Sequence, residues 1–183
     1  LGQVKPGENI VVIGGGPIGM LNALVARHVG ANVIVSEIDP FRVALANKLG
    51  LEAINPQEAD LVKLVNERTR GAGADAGFEV SGSQAGATMM TDLVRTCGRI
   101  IVVAIFAKKL EVDLFRFFWR ELRLCGARVY EHEDFVKAIE LASSGKFLLD
   151  PLITEISSLD RLGDGFVKMT KGGFCMKILI DRQ

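Results

Sequence analysis

The feature that most constrains this chain is an apolar run, Ile10-Val11-Val12-Ile13, that stops in a glycine cluster and restarts as a helix. Gly14, Gly16 and Gly19 fit G-x-G-x-x-G, and each has a separate task. The first allows a tight turn off a strand, the second lets backbone approach a pyrophosphate, and the third lets helix and strand pack closely. An anionic phosphate would rest on the free N–H groups at the helix start, where the dipole is positive. Beyond the loop, Ile18, Leu21, Leu24, Val25 and Val29 recur at three- and four-residue spacing, which predicts a helix with one apolar face ending at Gly30.

The second strand, Asn32 to Ser36, leads into Glu37, 18 residues beyond Gly19. That is close to the separation at which a carboxylate meets the adenosine ribose. A carboxylate accepts hydrogen bonds from ribose hydroxyls and repels a 2′-phosphate, so the pattern favours NAD over NADP. Further along, Asp39-Pro40 is a helix start and Gly50 its stop. The remaining pattern predicts a strand at 52–54, a helix at 57–69, a strand at 76–80, a helix at 84–96 and a strand at 99–103. Strands buried on both faces, alternating with helices over short connections, predict an α/β, doubly wound parallel sheet, the Rossmann fold, with helices on both faces and strand order 3-2-1-4-5-6.

Before the first strand, Val4 to Glu8 reads as a turn after a helix that ends near residue 4. Later the pattern loosens. A short extended piece is expected at 110–112, a helix at 113–119 carrying Phe115, Phe117, Phe118 and Trp119, and a sixth strand at 121–125. The aromatics are expected in the core or at a domain contact. Helices at 133–144, with Phe135, Ala138, Ile139 and Ala142 on one face, and at 159–171 precede a last apolar strand from Cys175 to Ile180, the candidate edge for a homo-oligomer.

At 183 residues there is room for one substantial domain, and 49% hydrophobic residues support a large core. Lys plus Arg and Asp plus Glu are each 22, which leaves no basic field for nucleic acid and no polybasic patch for a membrane. No apolar run is long enough to span a bilayer and no secretory pattern opens the chain, so a cytoplasmic location is expected. Cys97, Cys125 and Cys175 are too scattered for a disulfide framework or a Cys-x-x-Cys metal site. The two histidines, His28 and His132, have no cysteine at ligand spacing. Opening on Leu1, the chain reads as a piece of a longer protein.

Taken together, Val4-Lys5-Pro6-Gly7-Glu8, Glu37-Ile38-Asp39-Pro40-Phe41-Arg42, Leu49-Gly50, Gly77-Phe78-Glu79-Val80-Ser81-Gly82, Gly126-Ala127-Arg128-Val129-Tyr130, Asp134-Phe135 and Asp150-Pro151-Leu152-Ile153-Thr154 carry a resemblance across nearly the whole chain. The sequence resembles the cofactor-binding domain of the medium-chain dehydrogenases/reductases, in the zinc-type branch with sorbitol, butanediol and threonine dehydrogenases. The resemblance implies that residues 1–183 form the dinucleotide-binding domain. A catalytic barrel-like domain that holds the zinc would precede it, and the substrate would be an alcohol or polyol.

By the same resemblance Gly16, Pro17, Ile18 and Gly19 contact the pyrophosphate and adjacent ribose. Glu37 replaces the usual aspartate with a carboxylate moved by roughly 1.5 Å, one C–C bond. Arg42 lies beside the adenine. Ser81, the Val103-Ala104-Ile105 turn and Arg128 line the nicotinamide half. In the intact enzyme hydride would pass between the nicotinamide and a carbinol carbon, with zinc polarising the oxygen.

Three rival classes share parts of the pattern. A short-chain dehydrogenase needs Tyr with Lys four residues on, whereas Tyr130 is followed by Asp134. A methyltransferase fits the strand pattern through Val103 less well. A nucleotide-sensing regulatory domain without catalysis shares the glycine and acid logic.

Overall fold

The computed structural model describes residues 2–181. Leu1, on which the expectation of a truncated start rests, lies outside the described residues. Six parallel strands form the main sheet: β1 (Asn9–Ile13), β2 (Asn32–Ser36), β3 (Glu52–Ile54), β4 (Ala74–Glu79), β5 (Val94–Val102) and β6 (Arg123–Gly126). Their order is β3-β2-β1-β4-β5-β6, as the alternating pattern predicts. The connecting helices are α1 (Pro17–Val29), α2 (Pro40–Lys48), α3 (Leu61–Arg68), α4 (Gln84–Leu93) and α5 (Leu114–Trp119), with α6 (His132–Ser143) and α7 (Leu162–Lys171) later. Among the described residues no helix is long and apolar enough to cross a membrane.

Alternation along the strands divides the core into two layers. Ile10, Val12, Phe78 and Ile101 point to one face, where α1, α2 and the late residues Leu152 and Met176 cover them. Val11, Ile13 and Ile100 point to the other, against Leu61, Val65, Met90 and Leu93 of α3 and α4. Such burial on both faces is what lets a parallel sheet dispense with polar alternation. At the amino ends of the strands, Glu8 pairs with Arg99 at 2.7 Å and Asp75 with Arg95 at 2.8 Å, tying the starts of β1, β4 and β5 together.

Several elements depart from expectation. Helix α1 buries Met20, Ala23, Leu24 and Ala26, while Ile18, Leu21, Val25 and Val29 lie on an exposed stripe. Gly19, Ala23 and Ala26 let the helix lie close to the sheet, Met20 and Leu24 fill the core beside them, and the other bulky residues are left on the open side. Helix α3 starts at Leu61, four residues late, because Asn55 folds 55–59 into a turn and Asp60 caps the helix through Lys63 N. Helix α4 ends at Leu93, not 96, because Val94 already pairs with Ala74. Residues 2–5 and 110–112 take no regular structure.

Phe117 packs on the second core layer, but Phe115, Phe118 and Trp119 are exposed, and α6 buries none of its side chains. The helix expected at 159–171 is a 3-10 turn over 159–161 followed by α7. The last strand, β8 (Ile178–Asp181), does not join the main sheet. It pairs in parallel with an unanticipated strand, β7 (Glu155–Ser158), so the late edge of the main sheet is β6.

Candidate dinucleotide site

Strand order reverses between β1 and β4, and the chain leaves both strands at their carboxyl ends. Open α/β sheets bind ligands at this switch point. Gly14 turns the chain there with φ of +103°, and its N–H donates to Ser36 O at 2.8 Å. A Cβ on Gly14 would sit 2.8 Å from Ser81 N, and one on Gly19 only 1.8 Å from Gly14 O, so the loop closes directly on the helix. Gly16 behaves differently. It is the N-cap of α1, its carbonyl accepts from Met20 N at 2.9 Å, and a Cβ there would meet only Arg42 Nη1, at 3.8 Å.

No side chain caps α1 among the described residues, and no acid lies in its first turn. The amides of Ile18 and Gly19 therefore have no helical acceptor and face a space that admits backbone-close approach. Such a corner suits an anion by charge and by shape.

Glu37, 6% exposed, closes one side of the corner. Oε2 accepts from Gly15 N at 2.7 Å, and Oε1 from Ile38 N at 2.7 Å and Asp39 N at 2.9 Å. Arg42 Nη1 stands 3.8 Å from Oε2, and the buried Arg42 Nε has no hydrogen-bond partner among the described residues. Helix α2 sets this pairing, since Asp39 caps it and accepts from Phe41 N and Arg42 N. Oε1 is thus occupied by two donors, and Oε2 keeps acceptor capacity toward the glycine loop.

A groove of about 1040 Å³ runs from this corner over Phe78, Val80 and Ile101. Gly16, Pro17, Ile18 and Gly19 line it at one end, and Val103, Ala104, Ile105 and Arg128 line it with Tyr130 farther along. Eight of the twelve residues singled out from sequence therefore meet in one space. Gly14 lies behind the loop, Glu37 and Arg42 flank the corner, and Ser81 is not in the groove wall. Its hydroxyl turns instead to the buried carboxylate of Glu79.

Glu79 carried no role in the sequence reading, hidden at the end of an apolar strand. The signal that could have marked it is an acid closing such a strand just before Ser81-Gly82 and a helix start.

Neither histidine stands in a metal-like setting. His28 packs against Phe147 with ring centroids 5.0 Å apart, and His132 opens α6. Among the described residues no group of three or more His, Cys, Asp or Glu could hold a metal ion.

Comparison with known proteins agrees with this geometry. The family model described as "Zinc-binding dehydrogenase" matches residues 17–144. A 2-dehydro-3-deoxy-L-galactonate 5-dehydrogenase from Pseudoalteromonas atlantica is 45% identical over 98% of this chain and 52% of its own length. A D-arabitol-phosphate dehydrogenase from Enterococcus avium is 34% identical over 95% of this chain and 50% of its own.

Among solved structures, 2R,3R-butanediol dehydrogenase from Bacillus subtilis superposes with a TM-score of 0.90 at 29% identity, covering 100% of this chain and 53% of that one. A protein described as a zinc-binding dehydrogenase, from Sinorhizobium meliloti and bound to NADP, gives 0.89 at 26% identity, covering 99% and 54%. The chain spans about half the length of the curated relatives it matches. With a family match over residues 17–144, more than half of its length, this chain belongs to the zinc-binding dehydrogenase family.

Proposed function

We propose that this chain is the NAD-holding part of an oxidoreductase that transfers a hydride between the nicotinamide and an alcohol or polyol. The observation that carries the reading is the buried Glu37 carboxylate set beside the uncapped start of α1. The amides of Ile18 and Gly19 would hold the pyrophosphate, and Gly16 and Pro17 leave the backbone room to approach it. Glu37 would accept from the ribose hydroxyls through Oε2, Arg42 would flank the adenine, and the Val103–Ile105 turn and Arg128 would border the nicotinamide. When bound, the dinucleotide supplies the hydride acceptor. A 2′-phosphate would meet the fixed Glu37 charge, which favours NAD over NADP.

The metal and most of the substrate pocket belong, in this reading, to a catalytic part outside residues 1–183. Its docking surface is the exposed Ile18, Leu21, Val25 and Val29 stripe, beside a second groove of about 400 Å³. Self-association is assigned to β6, the edge strand that follows the helix ending in the exposed Trp119. Balanced charge argues against nucleic acid and membrane surfaces as partners, and we place the protein in the cytoplasm.

Calorimetric titration with NAD and NADP tests the reading. The chain alone is expected to bind NAD weakly, prefer it over NADP and oxidise no alcohol. Glu37→Ala is expected to weaken NAD binding and narrow the preference. An unchanged NAD/NADP ratio would remove the ribose role from Glu37, and zinc-dependent turnover by this chain alone would overturn the division of labour.

A further inference from the structure

We infer that Glu79 is a positioning residue for the nicotinamide end of the groove; the inference rests on the dinucleotide reading above. Glu79 ends β4 and is 1% exposed. Its Oε1 accepts from Ser81 N at 3.1 Å and from the Ser81 hydroxyl, and its Oε2 accepts from Gly82 N at 3.2 Å. Its main-chain oxygen accepts from Val103 N at 2.9 Å and Ala104 N at 3.1 Å. One residue thus holds the loop after β4 with its side chain and the turn after β5 with its carbonyl.

The Ser81 hydroxyl has no capacity left for a ligand. Its single proton goes to Glu79, and its two lone pairs face Ser83 N at 3.2 Å and Ser83 Oγ at 2.9 Å. Ser81 therefore acts through where it puts the backbone. That backbone is wedged between the two ends of the site. A Cβ on Gly14 would lie 2.8 Å from Ser81 N, and one on Gly82 would lie 3.0 Å from Ile105 O. Movement of residues 81–82 is passed to the 103–105 turn, whereas the glycine loop keeps its own anchor, the Gly14 N–H bond to Ser36 O. Glutamine cannot replace the acid, because both carboxylate oxygens accept, and an amide NH₂ would be turned against a backbone N–H.

The adenosine end does not depend on this arrangement, since Glu37 is held by Gly15, Ile38 and Asp39. The test is therefore a comparison of two ligands by calorimetry: NAD, and ADP-ribose, which lacks the nicotinamide. In Glu79→Gln, NAD is expected to bind about tenfold more weakly, the equivalent of one well-placed hydrogen bond, while ADP-ribose stays within about twofold. Glu79→Asp, which keeps the charge, is expected to recover part of the loss.

A native chain that binds ADP-ribose and NAD, with Glu79→Gln weakening both equally or neither, overturns the positioning role alone. A native chain that binds neither ligand removes the dinucleotide reading and this role with it. If Glu79→Gln does not fold, Ser81→Ala, which deletes only the bridging hydroxyl, carries the same comparison. Equal effects on the two ligands in that variant overturn the proposal.

Discussion

Replacing Gly19 by alanine separates the glycine that packs the loop on the helix from Gly16, the one proposed to face the dinucleotide. A methyl at position 19 would lie 1.8 Å from Gly14 O and 2.9 Å from Gly14 C, whereas ordinary contact begins at 3.4 Å. Helix and loop must part by the difference, about 1.6 Å. Gly14 cannot retreat, since its N–H is bonded to Ser36 O and even a Cβ on it would lie 2.8 Å from Ser81 N. The helix must lift instead, carrying Met20, Ala23 and Leu24 away from the core.

Overpacking costs about 1–3 kcal/mol, and with backbone as the obstacle the upper end applies, about 3 kcal/mol. In a domain of this size each kcal/mol lowers Tm by about 2–4 °C, so a fall of about 6–12 °C is expected. Gly16→Ala is the control. Its φ of −67° suits any residue, and the added methyl meets only Arg42 Nη1 at 3.8 Å. The weaker N-cap costs about 0.5–1 kcal/mol, or about 1–4 °C. The same methyl would fill the space in front of the amides, so NAD affinity should fall at least about tenfold. Differential scanning calorimetry and titration on both variants read the two effects. Gly19→Ala melting with the native chain, or Gly16→Ala losing as much stability as Gly19→Ala, would refute the reasoning.

Acid should act through the charged ties at the amino ends of the strands. Burial pushes the Glu8 carboxyl up, but Arg99 and the Lys5 amide outweigh it; burial also raises Asp75, and the Asn9 amide and Arg95 outweigh that. Both end below the ordinary carboxylate range. A depressed folded-state value stabilises above the unfolded pKa and is lost as pH falls through the folded one, so Tm should hold above about pH 5 and drop below about pH 4. A Glu8→Gln/Asp75→Asn double variant with an equally steep acid limb would contradict this. Cys97 is exposed and Cys175 buried, so a thiol reagent should modify Cys97 first and Cys175 only on unfolding; a fast phase that survives Cys97→Ser would say otherwise. The exposed Trp119 should be open to acrylamide quenching in dilute solution and become protected as concentration rises; concentration-independent quenching would argue against β6 as the self-association edge.

Strand order was legible because buried parallel strands are written as short β-branched runs, and each is followed by a cap or a glycine that marks the next element. Helix faces were not. In α1 only Leu24 of the periodic bulky residues turns to the core and the other four point away from it, because periodicity reports an apolar stripe without saying which surface covers it. Boundaries shifted where tertiary pairing outranked local preference, as when Val94 joins Ala74 and ends α4 early. The strand β7 escaped because Glu155-Ile156-Ser157-Ser158 is short and polar at all but Ile156. At the site, the positions of Gly16 and Glu37 were readable from spacing, but the Glu79–Ser81–Ser83 chain was not, since its hydrogen bonds depend on how the one short loop after β4 folds back on its strand-end acid.

The Glu37 carboxylate has a consequence for anyone who would alter cofactor choice. Held by amides from the glycine turn and from its own strand end, it is fixed in place, and the selectivity proposed for it is inseparable from the shape of the turn. Swapping it for a neutral or basic residue to admit a phosphorylated ribose would also release Gly15. Re-engineering this chain therefore requires a compensating acceptor for that amide, introduced together with the change at position 37.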